Sequence, residues 1–275
     1  MDIIEKQKKY PTSKVIPVRN ISASEEISDS QTRIIEEISV HVYLNGTFCS
    51  DIPCTPEHLP ELTAGWFLTE RNFDIAAFEG TLEVQGGGED DNLTVQIEIS
   101  SVPFKECAPD MLAVYGKSKD NDSLKAGRTA FNKAVLSNAE NRAWIYTLME
   151  RFEVERPLRK ATKSSHSCML VHLDLSEDMK YRDLKVLYQS EDTGRHSAMD
   201  KAIGWGVLNR IDMTKCILFT SGRISGDMAK KASASGVLCL VTAKPLLTTG
   251  AVDEAKRNNM LLAGIDTTDR EITFI

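Results

Sequence analysis

Two stretches of the 275-residue chain repeat one design, in which an apolar strand runs directly into a hydroxyl residue, a glycine and an arginine at the start of a helix. In the first, Leu184-Lys185-Val186-Leu187-Tyr188 leads through Glu191-Asp192 to Thr193-Gly194-Arg195-His196. In the second, Cys216-Ile217-Leu218-Phe219 leads to Thr220-Ser221-Gly222-Arg223. A helix N-terminus carries free N–H groups and about half a positive charge, so a glycine that admits close backbone approach, followed by arginine, makes an anion site. Two such junctions on neighbouring strands would grip a pyrophosphate. The alternative is that the glycines only serve tight turns and the arginines are solvated. Two junctions this close in sequence favour a nucleotide-like ligand.

The surrounding pattern says what these junctions are mounted on. From about Lys163, apolar strands near Met169–Leu173, Leu184–Tyr188, Ile217–Phe219, Val237–Val241, Leu261–Ile265 and Ile272–Ile275 alternate with helices over Ser197–Leu208, Ser225–Ser235 and Ala251–Asn259. Gly236 reads as the glycine closing the second helix, and Thr248-Thr249-Gly250 opens the third. This alternation predicts a three-layer α/β/α domain over residues 163–275, with ligands at the carboxyl ends of its strands. Upstream, residues 1–33 read as a polar arm or an edge strand, and residues 34–162 as a smaller region rich in β-hairpins, with helices. One hairpin turns at Asn45-Gly46 between Ile38–Leu44 and Thr47–Ile52, and a second pairs Thr81–Val84 with Leu93–Ile99. The class is therefore α/β, α+β overall. Gly86-Gly87-Gly88 at the second hairpin's tip lead into a strand among acidic residues, which is not the setting of a phosphate loop. Thr55-Pro56 reads as an N-cap with proline at the first helical position, with a start shifted to Pro60 as the alternative. Trp144, Ile145, Leu148, Met149 and Phe152 repeat at helical spacing.

Composition narrows the function. A formal net charge of −7 argues against broad binding of nucleic acid and leaves room for a local basic pocket around one small anion. No apolar run approaches the ~20 residues of a membrane span, and the first residues lack a signal-peptide core, which predicts a cytoplasmic protein with no membrane contact. The six cysteines, Cys49, Cys54, Cys107, Cys168, Cys216 and Cys239, form no Cys-x-x-Cys pair, which excludes a zinc finger. In a reducing compartment no structural disulfide is expected. The exposed hairpin edges predict a homodimer.

The densest chemistry lies in Glu191 to Gly204. Ala198, Met199, Ala202 and Ile203 read as the buried stripe of a helix, leaving Asp200 and Lys201 on the other side. Arg195 and His196 fall in the first turn, where positive side chains gain nothing from the helix dipole, so an anion beside them makes sense of their position. An Asp192–Arg195 ion pair that only braces the turn is the bland alternative.

At these residues the chain resembles the formate dehydrogenase accessory sulfurtransferase (FdhD) family. The family segment E-D-V-G-R-H-N-A-x-D-K is similar to Glu191-Asp192-Thr193-Gly194-Arg195-His196-Ser197-Ala198-Met199-Asp200-Lys201, and its later S-G-R turn to Ser221-Gly222-Arg223. Its early C-T-P-x-x-L segment looks like Cys54-Thr55-Pro56-Glu57-His58-Leu59, followed by Gly65-Trp66-Phe67-Leu68. The resemblance implies a cytidine-deaminase-like α/β/α fold for the C-terminal domain. It also implies an activity that moves sulfur from a cysteine desulfurase to the molybdenum bis-pyranopterin guanine dinucleotide cofactor, in support of formate dehydrogenase. A GDP-like nucleotide would occupy the same site in vitro.

Residue by residue, the resemblance implies cofactor contacts from Thr193, Gly194, Arg195, His196, Ser221, Gly222 and Arg223. It adds His166, where serines replace the family's glycines, and the C-terminal stretch Arg270, Glu271, Ile272, Thr273 and Phe274, where Thr and Phe are substituted in the family's N-x-Y ending. One departure is larger. The family's sulfur-carrying cysteine belongs to a Cys-x-x-Cys loop, and here Cys107 stands alone in the corresponding region. Cys107 is the candidate sulfur carrier. The alternative is a cofactor-binding chaperone that has lost sulfur transfer. Deamination is set aside, since the Pro-Cys-x-x-Cys zinc segment is absent.

Overall fold

A computed structural model describes residues 1–7, 10–86, 93–99, 121–175, 181–243, 247–266, 268–269 and 271–275 of the chain. Alternating apolar residues build a first, five-stranded sheet from β1 (Asp2–Glu5), β4 (Ile38–Leu44), β5 (Thr47–Cys54), β6 (Gly80–Gln85) and β7 (Leu93–Ile99), in the order β1-β6-β7-β4-β5. Both predicted hairpins form, and Asn45 and Gly46 take the positive φ values of 47° and 77° that so tight a turn requires. Within the polar first 33 residues, Asp2–Glu5 is an edge strand parallel to β6. Ser13–Ile21 (β2) pairs with Ile27–Ile35 (β3) as a separate, largely exposed hairpin.

The second sheet has six strands in the order β13-β12-β11-β10-β8-β9: β8 (His166–Leu175), β9 (Tyr181–Asp192), β10 (Cys216–Thr220), β11 (Cys239–Thr242), β12 (Leu261–Asp266) and β13 (Glu271–Phe274). β10, β11 and β12 are parallel, while β8 runs antiparallel between β10 and β9. The two Gly-Arg junctions therefore leave strands that are not neighbours. They leave the same edge of the sheet, with the first residue of β8, His166, between them.

Period-two alternation along these strands feeds two cores. Cys168, Leu170, Cys216, Leu218 and Leu240 face helices α1 (Leu59–Arg71), α5 (Arg195–Leu208), α6 (Gly226–Ser235) and α7 (Thr249–Asn258), and through them the first sheet. Met169, Val171, Ile217, Phe219 and Val241 face α2 (Asn121–Ser137) and α3 (Ala139–Val154), where Phe131, Trp144, Ile145, Leu148, Met149 and Phe152 are buried. A short α4 (Pro157–Thr162) connects α3 to β8. Helices cover both faces of the sheet, but those on the second face, α2 and α3, come from residues 121–154, upstream of the 163–275 stretch in which the sequence pattern predicts all three layers. Gly236 closes α6 at φ 91°, and Ser225 and Thr248 cap α6 and α7. Among the described residues no helix is long and apolar enough to cross a membrane.

Helices α1 and α5 meet backbone to backbone. A Cβ on Gly65 would lie 1.9 Å from the Asp200 carbonyl oxygen, and one on Gly204 would lie 1.8 Å from that of Glu61. This contact buries α5 on all sides, which corrects the one-sided stripe expected for it: Asp200 and Lys201 are 2% and 0% exposed. Helix α1 starts at Leu59 after a left-handed His58, with Pro60 in its first turn, so Thr55 is not its cap.

Candidate functional site

The site is built from the turn after β9. Asp192 is fully buried and ties that turn to the first sheet: Thr55 donates to its carboxylate from N and from Oγ1, each at 3.1 Å. Gly194 N and Thr193 Oγ1 donate to its other oxygen, also at 3.1 Å. Its ionic partner is Lys201, with Nζ 2.6 Å away, and Lys201 also donates to Thr55 Oγ1 at 2.7 Å. The Asp192–Arg195 brace is thus replaced by an Asp192–Lys201 pair. Glu191 accepts from Leu158 N at 2.7 Å and Arg159 N at 2.8 Å, at the start of α4, and from Ser165 Oγ at 2.6 Å. Asp200 is held by Lys231, with Nζ 2.8 Å away, and by Thr69, and Ser197 Oγ donates to Pro53 O. The carboxylates of the segment are consumed in positioning the turn.

Among the described residues Arg195 has no acidic partner of this kind. Its Nε is buried and makes no hydrogen bond in the structure. The side chain lies against the second junction, where a Cβ on Gly222 would stand 3.1 Å from Arg195 Cβ, 3.2 Å from Cδ and 3.5 Å from His166 Nδ1. Gly222 is therefore the residue that lets the two junctions and the start of β8 converge. The second turn is fixed by its own hydroxyls: Ser167 N donates to Ser221 Oγ at 2.9 Å, Gly222 N donates to Thr220 Oγ1 at 3.2 Å, and Thr242 Oγ1 donates to Gly222 O at 2.9 Å.

The local field is positive. Burial and the guanidinium groups of Arg195, Arg156 and Arg159 hold the His166 pKa below its ordinary value, so this imidazole is neutral near pH 7. Arg156 is buried and bridges Ser167 Oγ and Glu153, and so fixes a cation behind His166. Sequence reasoning missed Arg156 and Arg159. The signal was the Arg156-Pro157 step, since proline at the first helical position brings α4 and its flanking arginines to the sheet edge.

The expected residues do not all meet. Arg195, His166 and Gly222 converge, framed by Thr193, Gly194 and Ser221. Arg223 is exposed beside them. His196 turns to a different, polar pocket of about 470 Å³ that it shares with Pro53, Trp66, Glu70, Asp227 and Lys231. There burial, Arg195 and Lys231 lower its pKa. Glu271, Ile272, Thr273 and Phe274 lie on β13, three strands from β10 and so roughly 14 Å away across the sheet. Only the Glu271 end reaches the edge where the junctions emerge, because Glu271 pairs with Asp266 at the end of β12. Cys107 and Arg270 lie outside the described residues, as does most of the glycine tip after Gly86. A larger hollow of about 570 Å³, lined by Asn72, Asp74, Val207 and Asp212 among others, holds none of the expected site residues.

The cysteines divide sharply. Cys54, Cys168, Cys216 and Cys239 are free and buried, and burial pushes the Cys54 and Cys216 thiols up to about 12 and the other two higher still. Cys49, half-buried on β5, is disulfide-bonded, which corrects the expectation that the chain holds no disulfide.

Known proteins resemble the chain over most of its length. Over 267 residues the chain is 27% identical to a sulfur carrier protein FdhD of Bacillus subtilis, covering 91% of this chain and 92% of the relative. Over 236 residues it is 26% identical to a protein FdhD of Methanocaldococcus jannaschii, covering 86% and 85%. A crystal structure of a formate dehydrogenase accessory protein from Desulfotalea psychrophila superposes with a TM-score of 0.62 at 17% identity, covering 96% of this chain and 97% of that one, and shows a common fold. The FdhD/NarQ family description matches residues 35–274. The chain belongs to the FdhD/NarQ family.

Proposed function

We propose that the chain is a sulfur carrier serving formate dehydrogenase. In this reading Cys107 takes sulfur from the persulfide of a cysteine desulfurase. The Arg195 pocket holds the guanine dinucleotide end of the molybdenum bis-pyranopterin cofactor that receives it. The reading places the protein in the cytoplasm as a homodimer. Support for the carrier role comes from family membership and from the relatives that bear that name. The observation that carries the pocket is the convergence of Arg195, His166 and Gly222, with Arg195 Nε buried and unsatisfied in a positive field. A buried guanidinium nitrogen without an acceptor costs free energy that a phosphate oxygen returns as a charge-assisted hydrogen bond.

The cofactor is the substrate here. Arg195, with His166 once protonated, holds its phosphates, while Thr193, Gly194 and Ser221 keep the two turns in place. Arg223 and, from the far edge, Glu271 are the remaining polar contacts of the reading. Loading is a sulfane transfer: the Cys107 thiolate attacks the outer sulfur of the desulfurase persulfide, the S–S bond breaks, and the desulfurase thiolate leaves. In sequence, Lys105 two residues before Cys107 is a charge of the sign that favours a thiolate, and Glu106 beside it is of the opposite sign.

The test is to incubate the reduced protein with a cysteine desulfurase and cysteine and to map the peptides by mass spectrometry. The reading predicts an adduct of one sulfur atom on Cys107, absent in Cys107→Ala. A folded protein that binds GDP and takes no sulfur is a cofactor-binding chaperone instead.

A further inference from the structure

We infer that the polar pocket beside the Arg195 turn reads a 2-amino-4-oxopyrimidine ring, the ring that guanine and pterin share, through Asp227 with Lys230 beside it. The inference rests on the cofactor-binding reading above and gives it a second compartment, built wholly from described residues. Arg195 and His196 are the first two residues of α5, and successive residues of a helix point about 100° apart. Arg195 turns to Gly222 and His166, while His196 turns into this hollow of about 470 Å³, a size usual for pockets that take small molecules. The second junction divides in the same way. Gly222 meets Arg195, and Asp227 and Lys230, on the α6 helix that follows it, line the other pocket. A ligand with its phosphates at Arg195 thus has a second compartment one residue away.

The inner charges of this pocket are already satisfied. Lys231 Nζ lies 2.8 Å from Asp200, 2.6 Å from Glu70 and 3.0 Å from Thr69 Oγ1, so these groups tie α1, α5 and α6 together. Two rings add flat surface: the His196 imidazole, and Trp66, which is buried with the Arg71 guanidinium 4.9 Å from its ring centroid. Asp227 and Lys230 are different. Both are exposed, and among the described residues neither is hydrogen-bonded or ion-paired, whether to the other or to a third group. Spaced i, i+3 in α6, they stand on one face of the helix, a carboxylate and an ammonium whose Cβ atoms are about 5–6 Å apart. Asp227 faces the imidazole, since its charge, with that of Glu70, opposes the lowering of the His196 pKa.

A free carboxylate beside a free ammonium has a specific complement. One edge of a 2-amino-4-oxopyrimidine ring presents an amino N–H, a ring N–H and a carbonyl oxygen in a row. The carboxylate accepts from both donors at once, the bidentate arrangement that makes charge-assisted hydrogen bonds strong, and the ammonium donates to the carbonyl. Adenine, with one donor and one acceptor on that edge, does not offer the carboxylate its pair. Guanine and pterin offer the same edge, and in the cofactor they lie on either side of the phosphates that Arg195 holds.

The test is calorimetric titration of wild type and Asp227→Asn with two ligand pairs, each differing only in the 2-amino group: GDP against inosine diphosphate, and pterin against pteridin-4-one. If the ring is guanine, wild type binds GDP at least about tenfold more tightly than inosine diphosphate, the worth of one hydrogen bond to a charged group. In Asp227→Asn that ratio falls below about threefold. If the ring is pterin, the nucleotide ratio is near one in both proteins, and the pterin pair shows the same preference and the same loss. Inosine diphosphate keeps the phosphates, so an affinity within about threefold in the two proteins shows the variant folded with its Arg195 pocket intact. Lys230→Met weakens the preferred ligand and its deamino analogue alike, because both keep the carbonyl, and unchanged affinity for both refutes its part. No 2-amino preference in wild type for either pair, or one that survives in Asp227→Asn, overturns the inference and leaves the phosphate pocket standing. Failure of both nucleotides to bind folded wild type overturns the pocket reading as well.

Discussion

Replacing Lys201 with methionine tests whether the buried ion pair beneath the Arg195 turn supports the fold. Both partners are fully buried, and Lys201 Nζ stands 2.6 Å from Asp192. Methionine keeps most of the volume and removes the charge, so the Asp192 carboxylate stays buried with donors only from Thr55, Thr193 and Gly194. Breaking one side of a buried pair costs about 3–5 kcal/mol, a large part of the roughly 5–15 kcal/mol that holds a domain folded. In urea this is a fall in midpoint at unchanged m-value, and on heating a drop in Tm of roughly 6–20 °C. Adding Asp192→Asn removes the stranded charge, so the double variant should recover at least about 1 kcal/mol relative to the sum of the single changes. A Lys201→Met protein within about 1 kcal/mol of wild type, or strict additivity with Asp192→Asn, would refute the claim that this pair carries the turn.

Two further outcomes are expected. Gly204→Ala places a methyl group 1.8 Å from the Glu61 carbonyl oxygen and 2.5 Å from Gly65 N, which backbone cannot vacate, so the variant should lose more than about 2 kcal/mol by urea melt or fail to fold. His166 has a lowered pKa in the folded protein, so the unfolded chain binds the extra proton first: its contribution to stability is present above about pH 6.5 and lost as pH falls through the folded pKa. An anion in the pocket favours the imidazolium, so GDP binding takes up a proton and tightens on going from about pH 7.5 to about pH 6. Calorimetry in two buffers of different ionisation enthalpy reads that uptake. Because the terminal phosphate of GDP itself protonates near pH 6, the diagnostic quantity is the difference between wild type and His166→Asn, and identical pH profiles would contradict the assignment.

Much of the second sheet was legible because its helices carry their own punctuation, Gly236 at φ 91° closing α6 and the caps at Ser225 and Thr248, as the Asn45-Gly46 turn marks a hairpin of the first sheet. The convergence of Arg195 with Gly222 was legible only in outline. It depends on β8 lying between β9 and β10, an order that local sequence does not encode. Asp200 and Lys201 were misplaced because a helix wedged between two sheets has no solvent face, and charged residues there satisfy one another instead: Asp200 with Lys231, and Lys201 with Asp192. Thr55 was misassigned for a related reason, since its hydroxyl is held by a carboxylate 137 positions away. Arg156 gave no periodic signal, only the Arg156-Pro157 step, and its role emerges from its bonds to Ser167 and Glu153.

In the proposed function the two Gly-Arg junctions form one anion pocket around Arg195. Isothermal titration of GDP into wild type and Arg195→Ala at low salt tests it most directly. Loss of a charge-assisted hydrogen bond of about 1.5–3 kcal/mol predicts an affinity at least tenfold weaker in the variant, with an unchanged melting curve. Equal affinity in the two proteins, or no GDP binding by folded wild type, would contradict it.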